Sequence, residues 1–356
     1  MQVRLIYWLA VLLIASLACD ASAKEIQGKD AQGRDFWVYT PDEIDPDKTY
    51  TLVVGVHGYR GNGKGAAGYA KWVNQYDVIV LGASYNNDGY QYLQHGSDEQ
   101  TVALVQQLRK QYKLNEKVFI AGFSGGAQYA HRFAMKYPDL VAGCAAHSGG
   151  TWATGDYAER AVPNPEARGV LFVISCGEKD TGKSFAEAPM GRLEWAKKYA
   201  AMLEEGGFVY DARWVRDVGH RPSPTSRQMT ADCFEASTKL LPELAKQAAA
   251  IDALLGKREY DAAWALLKPR VAQANEPSDG IIGKVVTRYV ASQDQAVKRI
   301  DRWAQQRVAR AIRDAGSVED RRECLERLRD DFAGLTGTER AIAKALAKTQ
   351  AEQASQ

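Results

Sequence analysis

Little in this sequence is extreme, and each shortage excludes something. Five cysteines in 356 residues are too few for a disulfide scaffold. A formal net charge of +2 gives no electrostatic footprint for nucleic acid, and neither a compact basic stripe nor a Cys/His zinc spacing occurs. No family of metal ligands stands out, so neither a metal nor another cofactor is expected. The longest apolar run, Leu5–Ala18, falls short of the about 20 residues that a bilayer span needs. No 34-residue period repeats, so a tetratricopeptide array is not expected. Disorder is excluded as well, because 46% of the residues are apolar.

The short apolar run has a use of its own. Arg4 precedes it, and Ala21-Ser22-Ala23 follows it as a small-x-small cleavage site before Lys24. Residues 1–23 therefore read as a signal peptide, giving an exported protein, periplasmic or extracellular, with no transmembrane span in the mature chain. Lipid attachment at Cys19 is the second variant. Export permits disulfides among Cys144, Cys176, Cys233 and Cys324, but spacing does not choose among the three pairings.

At about 100–200 residues per domain, the length suggests two units. From Lys24 to about Ser237, β-rich runs alternate with helical stretches. Strands are expected at Asp35–Thr40, Tyr50–Val56, Val78–Ala83, Val118–Phe123, Leu140–His147, Gly169–Cys176 and Val209–Val215. Helices are expected at Glu99–Lys113, opened by a Ser97/Gln100 capping box, at Ala127–Tyr137 and at Arg192–Glu205. Continuously apolar strands that alternate with helices indicate a mostly parallel sheet covered on both faces. Beyond Ser237 the β-rich runs stop. Residues 241–356 hold 20 basic and 17 acidic residues and show helical periodicity at Leu240–Leu255, Asp261–Ala272, Ile281–Ala315, Glu319–Phe332 and Thr338–Lys348. The expected units are 1–23, a leader; 24–237, an α/β catalytic domain; and 238–356, a helical domain of unassigned role.

The chemistry is expected at Gly122-Phe123-Ser124-Gly125-Gly126. An apolar strand runs into this G-x-S-x-G segment and an amphipathic helix runs out of it. Such a turn exposes the serine at the edge of a sheet, and only small residues two positions away avoid collision. A serine hydroxyl is a weak nucleophile and needs a base with a group that orients it. In this arrangement the partners follow in the order acid, then histidine. His220 is the only histidine after His147, and it sits in a Gly/Pro loop behind the last strand. Asp180, behind the apolar strand GVLFVISC, is the expected acid, with Glu178 as the alternative. An oxyanion hole is expected from the backbone N–H groups of Tyr59, in the His57-Gly58 turn, and of Gly125. His57 itself reads as a turn residue rather than a second base, and His131 as a packing residue of its helix. Tyr85, His147 and Trp152 follow strand ends and are candidates for lining a substrate pocket.

Gly122–Gly126, His57-Gly58, Asp180 and His220, in that order, resemble the α/β-hydrolase superfamily. The exported start, the compact core and the Ala-Gly-Phe-Ser-Gly-Gly elbow resemble, within it, secreted esterases of the poly(3-hydroxybutyrate) depolymerase and feruloyl/acetylxylan esterase group. The resemblance covers about Asp35–Ser237. It implies an α/β-hydrolase core ahead of the helical region, and a serine enzyme that cleaves small or polymeric carboxylic esters through an acyl-enzyme. Two other readings stay open. One is a peptidase of the prolyl-oligopeptidase kind. The other is a binding protein whose helical tail docks a protein partner; the same tail could also act as a lid over the serine.

Overall fold

The computed structural model describes residues 24–354 apart from 74–77, 86–88, 151–162, 185–187, 189 and 277. The expected leader and Cys19 lie outside the described residues. Eight strands form one sheet in the order β1-β2-β4-β3-β5-β6-β7-β8. They are β1 (Lys24–Lys29), β2 (Asp35–Thr40), β3 (Thr51–Val56), β4 (Val78–Ala83), β5 (Val118–Phe123), β6 (Val141–His147), β7 (Leu171–Gly177) and β8 (Tyr210–Val215). The β1–β2 and β2–β4 pairings are antiparallel, and the remaining five are parallel. Every residue of β3, β4 and β7 is buried, which is why those segments read as unbroken apolar runs. This is a mostly parallel α/β sheet with helices on both faces. Strand β1 lacks that signal, because it is an exposed edge strand whose one large apolar residue is Ile26.

Period-2 alternation divides the sheet's side chains between two cores. On one face, Leu52, Val54, Ile79, Leu81, Ile120 and Ile174 pack with α2 (Ser97–Gln111), α3 (Gly125–Lys136) and α4 (Arg192–Glu205). On the other, Val53, Val80, Phe119, Ala145, Leu171 and Val173 meet Tyr69 and α5 (Pro224–Glu235). Tyr69 lies in a short 3₁₀ helix, Ala67–Trp72, that continues the short α1 (Gly63–Ala66). Helix α2 departs from expectation at its start. Gly96, at φ 70°, is its N-cap, and Ser97 turns its hydroxyl inward to the Tyr90 carbonyl instead of capping.

Helix α5 passes through a π-helical turn, Ala236–Leu240, directly into α6 (Leu241–Gly256). The sequence boundary at 237/238 therefore falls inside a continuous helical run. The region continues as α7 (Tyr260–Asn275), α8 (Ile281–Ser292), α9 (Asp294–Asp314), α10 (Val318–Asp331) and α11 (Thr336–Ala354). The single helix expected over Ile281–Ala315 is broken at Gln293, where ψ rises to 10° and the Ser292 hydroxyl donates to the Tyr289 carbonyl. Ile251, Trp264, Val285, Ile300, Leu325 and Ile342 extend the second core outward from the sheet, so the tail shares one apolar interior with it. Among the described residues no helix is long and apolar enough to cross a membrane. Cys144, Cys176, Cys233 and Cys324 are free thiols.

Candidate active site

Strand β5 delivers Ser124 to the carboxyl edge of the sheet at φ 58° and ψ −121°, a conformation costly for any residue with a Cβ. Backbone bonds hold it there: Ser124 N–H donates to the His147 carbonyl at 2.9 Å, and Ala127 N–H and Gln128 N–H donate to the Ser124 carbonyl at 3.0 and 3.2 Å. The flanking glycines are required by contact. A Cβ on Gly122 would lie 2.2 Å from the Gly126 backbone, and one on Gly126 would lie 2.2 Å from the Val56 carbonyl.

The chain brings His220 and Asp180 to this serine. His220 Nδ1 lies 2.8 Å from Asp180 Oδ2 and Nε2 lies 3.0 Å from Ser124 Oγ. An ionised carboxylate only accepts, so Nδ1 carries the proton and Nε2 receives the serine hydroxyl's. The two loops are tied together, since Lys179 N–H donates to the Val218 carbonyl and Glu178 N–H to that of Val215. Asp180 is 2% exposed. Burial raises its pKa, but the hydrogen bond and charge of His220, the charge of Arg192 and the Ser148 hydroxyl outweigh that and hold it below its ordinary value. Arg192 Nη1 lies 3.3 Å from Asp180 Oδ1. Glu178, the alternative acid, is exposed at the surface.

The turn after β3 lies against the same edge. A Cβ on Gly125 would approach Tyr59 N to 3.0 Å and Tyr90 Oη to 2.8 Å, so the two expected donors are neighbours. Gly125 opens α3, where its N–H has no intrahelical acceptor. Among the described residues no backbone acceptor takes the N–H of Tyr59 or of Gly125. His57 fastens this turn without facing the serine. Its Nδ1–H donates to the Gly58 carbonyl at 2.8 Å, and its bare Nε2 accepts from Tyr85 N–H at 3.1 Å. Burial lowers its pKa and keeps it neutral. Tyr90 adds a second fastening by donating to the His57 carbonyl at 2.8 Å.

A pocket of about 390 Å³ opens beside the serine, between Gly58, Tyr69, Trp72, Phe123 and Pro222. The Phe123 ring lies 5.0 Å from that of His220. Among the described residues, none from the helical tail lines this pocket. Two of the expected lining residues are placed elsewhere. Tyr85 is 7% exposed, stacks at 5.1 Å on Tyr90 and bonds Thr101 through its hydroxyl, because its apolar ring is better satisfied beneath the turn than in water. His147 is fully buried between Ser175 and Thr230. Its contribution to the site is its carbonyl. Trp152 lies outside the described residues. His131 packs inside α3's face with Nδ1 on the Ala127 carbonyl.

Sequence reasoning missed Arg192, and it took Tyr90 only as one of the loop aromatics of 85–92 that could border a substrate. Tyr90 sits among other tyrosines in a loop with no pattern to separate it. Arg192 is the first residue of α4, where a cation opposes the helix dipole, and that mismatch was the available signal.

No family model matches the chain, and no curated protein matches it. Solved structures do align. A ferulic acid esterase from Anaeromyces mucronatus shares 17% identity at a TM-score of 0.45, covering 59% of this chain and 88% of its own. A poly(3-hydroxybutyrate) depolymerase from Bordetella parapertussis shares 16% at 0.47, covering 61% and 90%. An S-formylglutathione hydrolase from Staphylococcus aureus shares 14% at 0.45, covering 59% and 96%.

Proposed function

We propose that this chain is a serine hydrolase that cleaves carboxylic esters through an acyl-enzyme. The observation that carries the reading is the unbroken hydrogen-bond path Asp180–His220–Ser124, with each proton where acyl transfer requires it. Ser124 Oγ attacks the ester carbonyl while His220 Nε2 takes its proton. The tetrahedral oxyanion is received by the N–H groups of Tyr59 and Gly125. His220 then returns the proton to the departing alkoxide, and water repeats the sequence to release the acid. Asp180 holds the imidazole's tautomer and offsets the positive charge it acquires.

The pocket between Trp72 and Phe123 is apolar and uncharged, which suits an apolar acyl or alcohol group in a small or polymeric ester. We assign catalysis to residues 24–237 and export to residues 1–23; N-terminal sequencing of protein recovered from outside the cytoplasm, starting at Lys24, tests the latter. The test of the chemistry is hydrolysis of short nitrophenyl esters by wild type and Ser124→Ala. Loss of the triad serine lowers turnover on the order of 10⁶-fold. Turnover by the folded variant at a near wild-type rate would overturn the reading, and preference for aminoacyl amides over esters would replace esterase by peptidase.

A further inference from the structure

A second cavity, of about 380 Å³, lies at the opposite edge of the sheet, where the chain enters β7 and β8. Leu171 and Val209 form its sheet side, and Leu244 and Ala248 of α6 with Val285 of α8 form its helical side. Its walls are therefore built jointly by the core and the tail. Its size falls in the range of small-molecule sites, and its lining is mostly apolar, with Tyr289, Ser292 and Gln293 as the uncharged polar residues.

The mouth has the opposite character. Arg168 Nε donates to the Gly206 carbonyl at 2.7 Å, and Arg288 Nη1 donates to the Gly207 carbonyl at 3.3 Å. Consecutive carbonyls thus hold two guanidinium groups side by side, both at the cavity lining. Among the described residues neither guanidinium forms an ion pair with a carboxylate. Glu204 and Glu205, which precede the glycine turn, do not line the cavity. Each arginine keeps free N–H donors in a planar fork, the geometry that receives a carboxylate. Paired cations over an apolar interior select a ligand with an anionic head and a hydrocarbon tail.

We propose that this cavity binds one free alkyl carboxylate of medium chain length, with its head between Arg168 and Arg288 and its chain against Leu171, Leu244 and Val285. A monomeric ligand is favoured over a lipid surface, because the exposed large hydrophobic residues among those described are Ile44 and Tyr59, and neither borders the cavity. The proposal gives the tail a role in ligand binding that is independent of Ser124.

Calorimetric titration of the full chain with decanoate, octanoate and decyltrimethylammonium, all below their micelle concentrations, tests it. Decanoate is expected to bind at one site, and each methylene removed weakens binding roughly fourfold. Arg168→Ala and Arg288→Ala are surface changes that leave folding intact; each is expected to weaken decanoate at least fivefold without altering ester turnover. Ala248→Phe fills the cavity and is expected to weaken decanoate more than octanoate. Equal affinity for decyltrimethylammonium, unchanged affinity in the Arg168→Ala/Arg288→Ala double variant, or binding seen only to anionic vesicles would each overturn the proposal.

Discussion

The Tyr90 hydroxyl donates to the His57 carbonyl at 2.8 Å, and the same hydroxyl borders Gly125. One buried phenol thus braces the turn that carries Tyr59 N–H against the helix that carries Gly125 N–H. Burial raises the Tyr90 pKa, so the group remains a donor at any ordinary pH. Tyr90→Phe keeps the ring stack on Tyr85 and removes only this bond. It is expected to lower kcat on the order of tenfold with KM little changed, less than the ~10²–10³ lost when an oxyanion donor itself is deleted. The orphaned His57 carbonyl should cost about 1–3 kcal/mol of stability. Equal effects on kcat and KM would show that Tyr90 does not act through the oxyanion turn.

The glycines near the elbow differ sharply in what they tolerate. Gly126→Ala places a methyl 2.2 Å from the Val56 carbonyl oxygen and 2.9 Å from that of His57, and both are backbone atoms with little room to yield. That variant is expected to lose several kcal/mol or fail to fold. Gly65→Ala meets only Asn62 Oδ1 at 3.7 Å and should be neutral or stabilise by up to about 1 kcal/mol. Thermal melting of both distinguishes contact from generic glycine flexibility; similar melting points would discard the contact explanation.

The legible parts of this molecule are those governed by local chemistry. Val78–Ala83 and Val118–Phe123 are strands at the residues expected, because burial on both faces leaves no polar positions to blur their ends. That Ser124, Asp180 and His220 lie within hydrogen-bond reach of one another was legible, because parallel strands of one sheet end at the same edge. Strand β1 was not, since an edge strand with one pairing partner needs no apolar residues. The inward placements of Tyr85 and His147 escaped notice for a related reason. A strand end says where the backbone goes, while the partners that draw the side chains inside, Thr101 and Thr230, come from distant segments.

The helical tail is not an appendage that can be removed. Leu171, Val173, Met229 and Phe234 share their core with Leu244, Ile251 and Val285. A chain ending at Ser237 would expose that face to water at roughly 25 cal/mol per Å². It should aggregate or melt far below the full chain. A soluble truncated protein with unchanged ester turnover and melting temperature would show that the shared core is energetically idle.

Acid should unfold this protein early, and His147 shows why. Its Nε2 faces Thr230 Oγ1, whose own proton goes to the Ser226 carbonyl, so Nε2 carries the hydrogen and Nδ1 accepts from Ser175. Both partners are neutral hydroxyls, so no carboxylate offsets the charge that a second proton would bury. Burial drops the pKa from 6.5 to about 3. Between those values the unfolded chain binds a proton that the folded chain refuses, so stability falls as pH falls, by up to about 1.4 kcal/mol per pH unit from this one group. Burial lowers His57 and His131 in the same direction. His147→Gln cannot titrate. It should be about 1–3 kcal/mol less stable at pH 7, through imperfect hydrogen bonds to Ser175 and Thr230. Its stability should then decline more slowly between pH 6 and pH 4, narrowing the gap to wild type. Urea unfolding of both proteins across that interval checks this, and two parallel curves would mean that His147 takes up its proton without unfolding.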